Sequence, residues 1–507
     1  MVTDGGTALV DGIADVPPTL DLRIDGGAGV TAATVRATLD GGQLPLRDTG
    51  TTVSAATAAM PLGSAHVLVL DLPGRSPQTI SFHVVSPGEA FAAVHQEAGR
   101  AVVLDLVFSL APLDPGAVTA ALPAGGAPSW SDATHLRASW AAAPAGSHLR
   151  LPASMATARG SQLGGALDAD LGSSPPAGTL RSASAPAVPT AAAPALAVLA
   201  FTTSTAASRA SLEAHAGQIS VVSPTGLTAG ADGGVGGSPD AAAVTIAARH
   251  GIPVVPLIQN KDFSSAAVHA LLTTPGAVAA LVATLRRRAA DGGWAGVHLD
   301  FENVPETDRD ALSALVASLA AGLHADARRL DVAVVPHRPG HLNAINAAYD
   351  LAAIGRSADR VTLMAYEEHS PSSDPGPVAG LAWDGQVLDG SLDEVGPAAR
   401  SLLGIPLYAR TWADGGDSAD SYSASVRDAL AAADGARVDY DFIEGTPTIA
   451  PLAGGRPVTW FDDAASLRRK VDLAVARHLA GIAMWRLGFE DPAVWSQLPA
   501  VAVAAAG

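Results

Sequence analysis

The chain has 507 residues, too many for one ordinary domain, and 48% of them are apolar, so two to four globular domains are expected. A formal net charge of −18 excludes nucleic acid or an anionic membrane as the main partner, because both select a basic surface. The absence of cysteine excludes disulfides, thiolate nucleophiles and Cys-ligated metals.

No apolar run reaches the roughly 18 residues of a membrane span. The opening "MVTDGGTALVDG" has no basic segment followed by an apolar one, so no signal peptide is visible. Residues 1–86 alternate short apolar runs ("TLDLRI", "HVLVLDL", "TISFHVV") with Gly/Asp/Thr turns. That period of two predicts an all-β sandwich of immunoglobulin-like size. Residues 87–172 repeat the pattern ("RAVVLDLVFSL", "HLRASW", "SHLRLPAS") and predict a second sandwich. Residues 173–193 are rich in Ser, Ala and Pro without periodicity, which is linker composition.

From residue 194 to about 500 the pattern changes. Apolar strands are predicted at 195–201, 219–224, 253–260, 296–302, 331–336, 360–366, 401–408 and 481–487, with helical runs such as "DRDALSALVASLAAGLHADARR" and "DAASLRRKVDLAVARHLA" between them. Eight strands separated by helices predict a (β/α)8 TIM barrel. The Gly-rich "AGADGGVGGSP" at 229–239 has no following Lys and reads as a loop.

The fourth strand carries the chemistry. In "WAGVHLDFENV" (294–304), Val297, Leu299 and Phe301 fall on one face, and His298, Asp300 and Glu302 on the other. Inward polar residues are costly unless they lie near the C-terminal mouth, where barrel active sites are found. Glu302, last in the predicted strand, reaches that mouth, with Asp300 one layer beneath. Next-but-one residues on a strand are roughly 6–7 Å apart, close enough for two carboxyls to raise one pKa and leave a proton donor near neutral pH. Glycoside hydrolysis needs such a donor. The plainer alternative makes both acids capping and surface groups for a helix starting near Thr307.

These motifs resemble glycoside hydrolase family 18. Ala295–Glu302 aligns with the family's fourth-strand signature D-G-x-D-x-D-x-E. The ending "DFENVP" is similar to the branch that includes spore-cortex-lytic N-acetylglucosaminidases. "VVPLIQN", "LMAYEEH", "DPGPVAGLAW", "GIPLYARTW" and "GIAMWRLGFEDPAVW" follow in the family's order, so the resemblance covers about 194–497. It implies retaining, substrate-assisted cleavage of β-1,4 bonds next to N-acetylglucosamine, in a peptidoglycan-type or chitin-type glycan. Glu302 would be the acid and then the base, and Asp300 would orient the 2-acetamido group whose oxygen attacks. Tyr366 would hydrogen-bond that oxygen, and Trp485 would floor the sugar. Glu367 stands where the family usually has Asp, and Asn260 and Tyr408 are implied as mouth-lining contacts. No cofactor or metal is implied, and a secreted or envelope-associated monomer is expected.

Two residues depart from the signature. Ala295 replaces its first Asp. His298 replaces its second, and is expected to hydrogen-bond Asp300, with a charge near pH 6–7 that shifts the pH optimum. These departures keep open a lectin-like protein that binds the glycan without cleaving it. A structural protein in which the sandwiches act and the barrel is a spacer is the other alternative, although residues 1–172 hold only two tryptophans, Trp130 and Trp140. His337, His341 and His369 invite a metal reading, but Pro339 and Gly340 break any helix that would align the first two. The acidic run "DDAAS" is expected to cap a helix.

Overall fold

The computed structural model describes residues 2–498 except 5, 26, 28–29, 98–101, 143–145, 173–179, 186–195, 414–420, 433–435 and 452–456. Two compact units divide the chain, and the second contains all of residues 196–498.

Residues 2–84 form two five-stranded sheets. One runs Thr7–Ala8, Val2–Asp4, Asp21–Ile24, Val53–Ala56, Arg47–Asp48. The other runs Ile13–Val16, Gln78–Val84, Ala65–Asp71, Arg36–Leu39, Gly42–Gln43. The alternation read in the sequence is the alternation of burial: Leu22 and Ile24 are inside with exposed residues between, as are Ile80, Phe82 and Val84. The two inner faces share one core. Asp40 and Gly41 both have positive φ (50° and 80°) and close the hairpin pairing Leu39 with Gly42, the turn whose twist matches its strands.

Further on, a five-stranded sheet runs Ala127–Trp130, His135–Trp140, Val102–Phe108, Ala90–Gln96, Leu180–Ala185, with a separate ribbon of His148–Leu151 and Leu167–Asp170. The linker expected at 173–193 is thereby corrected at Leu180–Ala185. "LRSASA" lacks an apolar period yet is held as a sheet-edge strand by its neighbour's backbone, with Leu180 buried. The rest of that stretch lies outside the described residues.

In the second unit eight parallel strands are β1 Ala197–Thr202, β2 Val221–Pro224, β3 Leu257–Asn260, β4 Gly296–Asp300, β5 Arg329–Val334, β6 Arg360–Leu363, β7 Ser401–Pro406 and β8 Gly481–Trp485. They pair in the order β2-β1-β8-β7-β6-β5-β4-β3. Strand two arrives in two pieces: β2 pairs with β1, and the following Leu227–Ala229 pairs with β3. Val222 also bonds the backbone of Pro253 and Val255 just before β3, so the row closes on itself. Helices cover its outside, among them α1 Ala206–His215, α2 Ala241–Arg249, α3 Ser265–Thr273, α4 Ala277–Asp291, α5 Arg309–Ala325, α6 Leu351–Ser357, α7 Leu381–Val395 and α9 Ala464–Ala476, while α8 Val426–Ala432 packs on the strands Tyr408–Trp412 and Ser421–Ser425 inserted after β7. The acidic run before α9 caps it as expected: Asp463 and Ser466 exchange side-chain and backbone hydrogen bonds in a capping box.

Val297, Leu299 and Phe301 join the core between strands and helices, while Leu199, Phe201, Leu257 and Leu402 fill the inside of the ring. Ala295 packs against that inner apolar cluster, so the position where the family signature has its first Asp is lined by hydrocarbon.

After β7 the sequence pattern predicts a strand through Tyr408. Instead β7 ends at Pro406 and a five-stranded antiparallel sheet is inserted, starting with Tyr408–Trp412 and followed by Ser421–Ser425, Ala436–Asp441, Thr446–Pro451 and Val458–Trp460. Residues 408–412 pair antiparallel with two of these strands, whereas the ring strands pair with one another in parallel. Among the described residues no single helix is long and apolar enough to cross a membrane.

Candidate active site

The site is built around the end of β4. Its ladder with β3 stops at the pairing of Gln259 with Asp300, so Glu302 lies two residues beyond the strand rather than last within it. A side chain continues the pairing where the backbone stops. Asn260 accepts from the Glu302 N–H (2.9 Å) and donates to the Glu302 carbonyl (3.0 Å). Asn260 is buried, with its amide spent on that backbone. It is therefore a clamp on Glu302, not the mouth-lining contact expected from the sequence. Tyr349, which sequence reasoning missed, donates its hydroxyl to the Phe301 carbonyl (2.8 Å). Asn303 follows at φ 54°, turning the chain sharply as it leaves the site.

Asp300 is buried, and its Oδ2 accepts from Gln259 Nε2 at 2.9 Å. Burial raises its pKa to about 6 against the lowering effect of that hydrogen bond. Glu302 is half-buried and its pKa is raised to about 7, first by burial and then by the negative charges of Asp300 and Glu367. Both carboxyls are raised, so the pair retains a proton toward neutral pH, and Glu302, at the mouth, is the member placed to deliver it.

His298 corrects the sequence expectation. It is fully buried, and its Nδ1 lies 3.3 Å from Ser223 Oγ. Its ring packs on Phe201 at 5.2 Å, and its Nε2 has no hydrogen-bond partner among the described residues. Burial, aided by the nearby positive charge of Arg329, lowers its pKa to about 3. A histidine with that pKa is neutral through the physiological range and does not titrate near pH 6–7, and among the described residues its hydrogen bond is to Ser223 rather than to Asp300.

A cavity of 510 Å³ opens over these groups, within the size range of small-molecule sites. Asp300, Glu302, Tyr366, Glu367, Tyr408 and Trp485 all line it, so the structure brings together six of the eight predicted site residues. Trp485, at the end of β8, packs edge-on against Phe201 at 5.1 Å and leaves part of its surface open. The Tyr366 hydroxyl is pushed well above its usual pKa by burial and by Asp300, so it stays protonated and can donate.

Glu367 has φ 65°, a turn that brings its carboxylate back to the mouth. There it accepts from the Tyr408 hydroxyl and from Arg410 Nη2 (2.6 Å). Arg410 was also missed. Its guanidinium is buried, with Nε and Nη1 unpaired among the described residues, and it lies on the same wall as Tyr408. The signal was in "YAR": two residues apart on one strand, both side chains face the same way. Gln259 was missed for the same reason that Asn260 was misassigned, since "QN" carries no charge to draw attention. His337 is occupied elsewhere, by the Asn346 carbonyl (3.0 Å) and Glu394 (3.1 Å).

A closed row of parallel strands with two unequal acids at its C-terminal mouth defines a TIM-barrel protein with an acid–base site. The chain belongs to glycosyl hydrolase family 18. The model of that family matches residues 238–490. The crystal structure of a chitinase from Chromobacterium violaceum ATCC 12472 is 33% identical, with a TM-score of 0.55, over 60% of this chain and 98% of that one. A cortical fragment-lytic enzyme of Bacillus subtilis (strain 168) is 26% identical over 249 residues, 48% of this chain and 58% of that protein. The spore cortex-lytic enzyme SleL of Bacillus megaterium QM B1551 shares the fold, with a TM-score of 0.55 at 22% identity over 61% of this chain and 74% of that one. The chain spans 58% to 63% of the length of the first curated relatives it matches.

Proposed function

We propose that this protein is a retaining glycoside hydrolase that cleaves β-1,4 bonds next to N-acetylglucosamine by substrate assistance. The observation that carries the reading is the acid pair at one cavity: Asp300 is buried and held by Gln259, Glu302 is clamped at the mouth by Asn260, and burial raises both carboxyls. Glu302 protonates the glycosidic oxygen as the bond to the anomeric carbon breaks. The substrate's own acetamido oxygen closes on that carbon. Asp300 orients the acetamido N–H and offsets its growing positive charge, and Tyr366 donates to the acetamido oxygen. Trp485 offers a flat apolar surface to the C–H face of the sugar. Glu302, now ionised, takes a proton from the incoming water.

In this reading residues 194–500 are a (β/α)8 catalytic domain, and 1–86 and 87–172 are immunoglobulin-like sandwiches serving as spacers or weak anchors. The enzyme would act as a secreted or envelope-associated monomer. Names among its relatives point to two glycans: one similar structure is a chitinase, and one relative is a cortical fragment-lytic enzyme. Peptidoglycan is preferred, because the resemblance is to the branch that includes cortex-lytic enzymes.

The test is fluorophore release from N-acetylglucosaminide and N-acetylchitobioside conjugates across pH 4–9, by the wild type and Glu302→Gln. Turnover that disappears in the variant supports the acid and the substrate class together. Silence from both proteins, with chito-oligosaccharide binding retained, would instead favour the lectin-like reading that Ala295 and His298 keep in view.

A further inference from the structure

A second cavity, of 400 Å³, lies on the other side of the acid. It shares Glu302 and Tyr366 with the first but has neither Asp300 nor Trp485 in its walls. If the cavity over Asp300 and Trp485 takes the N-acetylglucosamine whose acetamido group reacts, then the sugar that leaves, carrying the oxygen Glu302 protonates, occupies the second. This step rests on the proposed function above.

Several donors lining the second cavity keep hydrogen-bonding capacity to spare. The Arg338 guanidinium lies 5.8 Å from the Trp383 ring centre and makes one long hydrogen bond, to Gln386 (3.4 Å). Among the described residues it has no carboxylate partner. The other arginines at the site are held more firmly: Arg410 pairs with Glu367, and Arg486 donates to Thr203 Oγ1 (2.7 Å) and lies 3.9 Å from the Phe489 ring centre. Asn343 spends its Oδ1 on the N–H groups of Ile345 and Asn346, leaving its Nδ2 donors unspent. The His341 N–H bonds the Arg338 carbonyl in a tight turn, and the His341 imidazole is exposed at the rim. The acids of the same cavity are accounted for. Glu367 is paired with Arg410, and Glu368 accepts from the Gly380 N–H (2.7 Å).

We infer that Arg338, with Asn343 and His341, forms a subsite for a carboxylate borne by the leaving sugar, as on the lactyl ether of an N-acetylmuramyl residue. Chitin offers no such group, and its leaving sugar is neutral. A planar guanidinium steadied on an aromatic face is suited to grip a carboxylate through two parallel hydrogen bonds.

The experiment compares kcat/KM for an N-acetylglucosaminyl–N-acetylmuramyl tetrasaccharide and for N-acetylchitotetraose, in wild type, Arg338→Met and Arg338→Lys. The ratio of the first to the second should fall about tenfold in Arg338→Met and recover in part in Arg338→Lys. An unchanged ratio in Arg338→Met overturns the inference. Equilibrium binding to Glu302→Gln, by titration calorimetry, gives a readout independent of turnover. The free-acid muramyl glycan should bind about tenfold more tightly than its methyl ester, and adding Arg338→Met should remove that preference. Equal affinity for acid and ester overturns the subsite. Loss of all turnover with the binding preference intact would overturn the proposed hydrolysis but leave the subsite standing.

Discussion

Asn260 holds Glu302 by both sides of its backbone, accepting from its N–H at 2.9 Å and donating to its carbonyl at 3.0 Å, at the point where the β3–β4 ladder ends. A buried amide that replaces two ladder bonds fixes the direction in which the acid leaves the strand. Asn260→Ala strands both groups, at a cost of roughly 1–3 kcal/mol each if they stay dry. It also frees the acid to drift, and a shift of about 1 Å in a catalytic group can cost about a hundredfold in rate. The expected result is a fall in kcat of tenfold or more with a smaller change in KM, measured on the chitobioside conjugate. A change confined to KM would mean that Asn260 contacts sugar after all.

The two acids set the pH dependence. Glu302, raised to about 7, must carry a proton, and Asp300, raised to about 6, must have lost one. Activity should therefore rise as pH increases through about 6, fall as it passes about 7, and peak between, with both limbs belonging to the coupled pair. Gln259→Ala removes the hydrogen bond that stabilises ionised Asp300, so the acidic limb moves to higher pH and the bell narrows. A limb that stays in place would show that Gln259 does not tune Asp300.

His298 is the departure whose consequence the sequence suggested wrongly. Buried against Phe201 and Ser223, with a pKa lowered to about 3, it is neutral across the working range. His298→Asn should leave both limbs of the pH profile where they are, and should cost about 1–3 kcal/mol of stability through the space left beside Phe201. His298→Asp is the contrasting case. A second buried carboxyl on the same inward face opposes ionisation of Asp300, so the acidic limb moves up. A shifted profile in His298→Asn would restore a titrating role for the imidazole.

What could be read from the sequence followed from periodicity and charge. The strand positions of the ring were marked by apolar runs, and the period of two in "GVHLDFE" placed His298 and Asp300 inside and their neighbours outside. Tyr366 and Trp485 were marked by the resemblance of "LMAYEEH" and "GIAMWRLGFEDPAVW" to the family's motifs. The residues missed or misassigned are those whose roles arise from tertiary contacts. Gln259 and Asn260 are uncharged, and only the end of a ladder shows what their amides bond. Arg410 entered the site because residues 408–412 join an inserted antiparallel sheet, a pairing with distant strands that "PLYAR" does not announce. The environment of His298 depended on Phe201 and Arg329, residues 97 and 31 positions away in a chain read one stretch at a time. Leu180–Ala185 became a strand through its neighbour's backbone, a contact no local composition encodes.

The contact between Glu367 and Arg410 separates support from chemistry. Arg410 is buried with two nitrogens unpaired, and Glu367 is the carboxylate that offsets its charge, with Tyr408 donating to the same oxygen. Removing the acid alone leaves a buried cation without a counter-charge, which typically costs about 3–5 kcal/mol, less where one partner is as open to water as Glu367. Removing both charges avoids that penalty. Glu367→Ala should therefore lower thermal stability clearly, and Glu367→Ala combined with Arg410→Met should recover much of the loss. Activity should not recover with it, because the pair lines the cavity that holds Glu302, and the negative charge of Glu367 helps keep the acid protonated. In both variants the alkaline limb of the pH profile should move to lower pH as that charge disappears. Thermal melts alongside pH–rate profiles decide the matter. Recovery of stability without recovery of the limb places Glu367 in the proton balance of the site, while joint recovery would make the pair a structural brace alone.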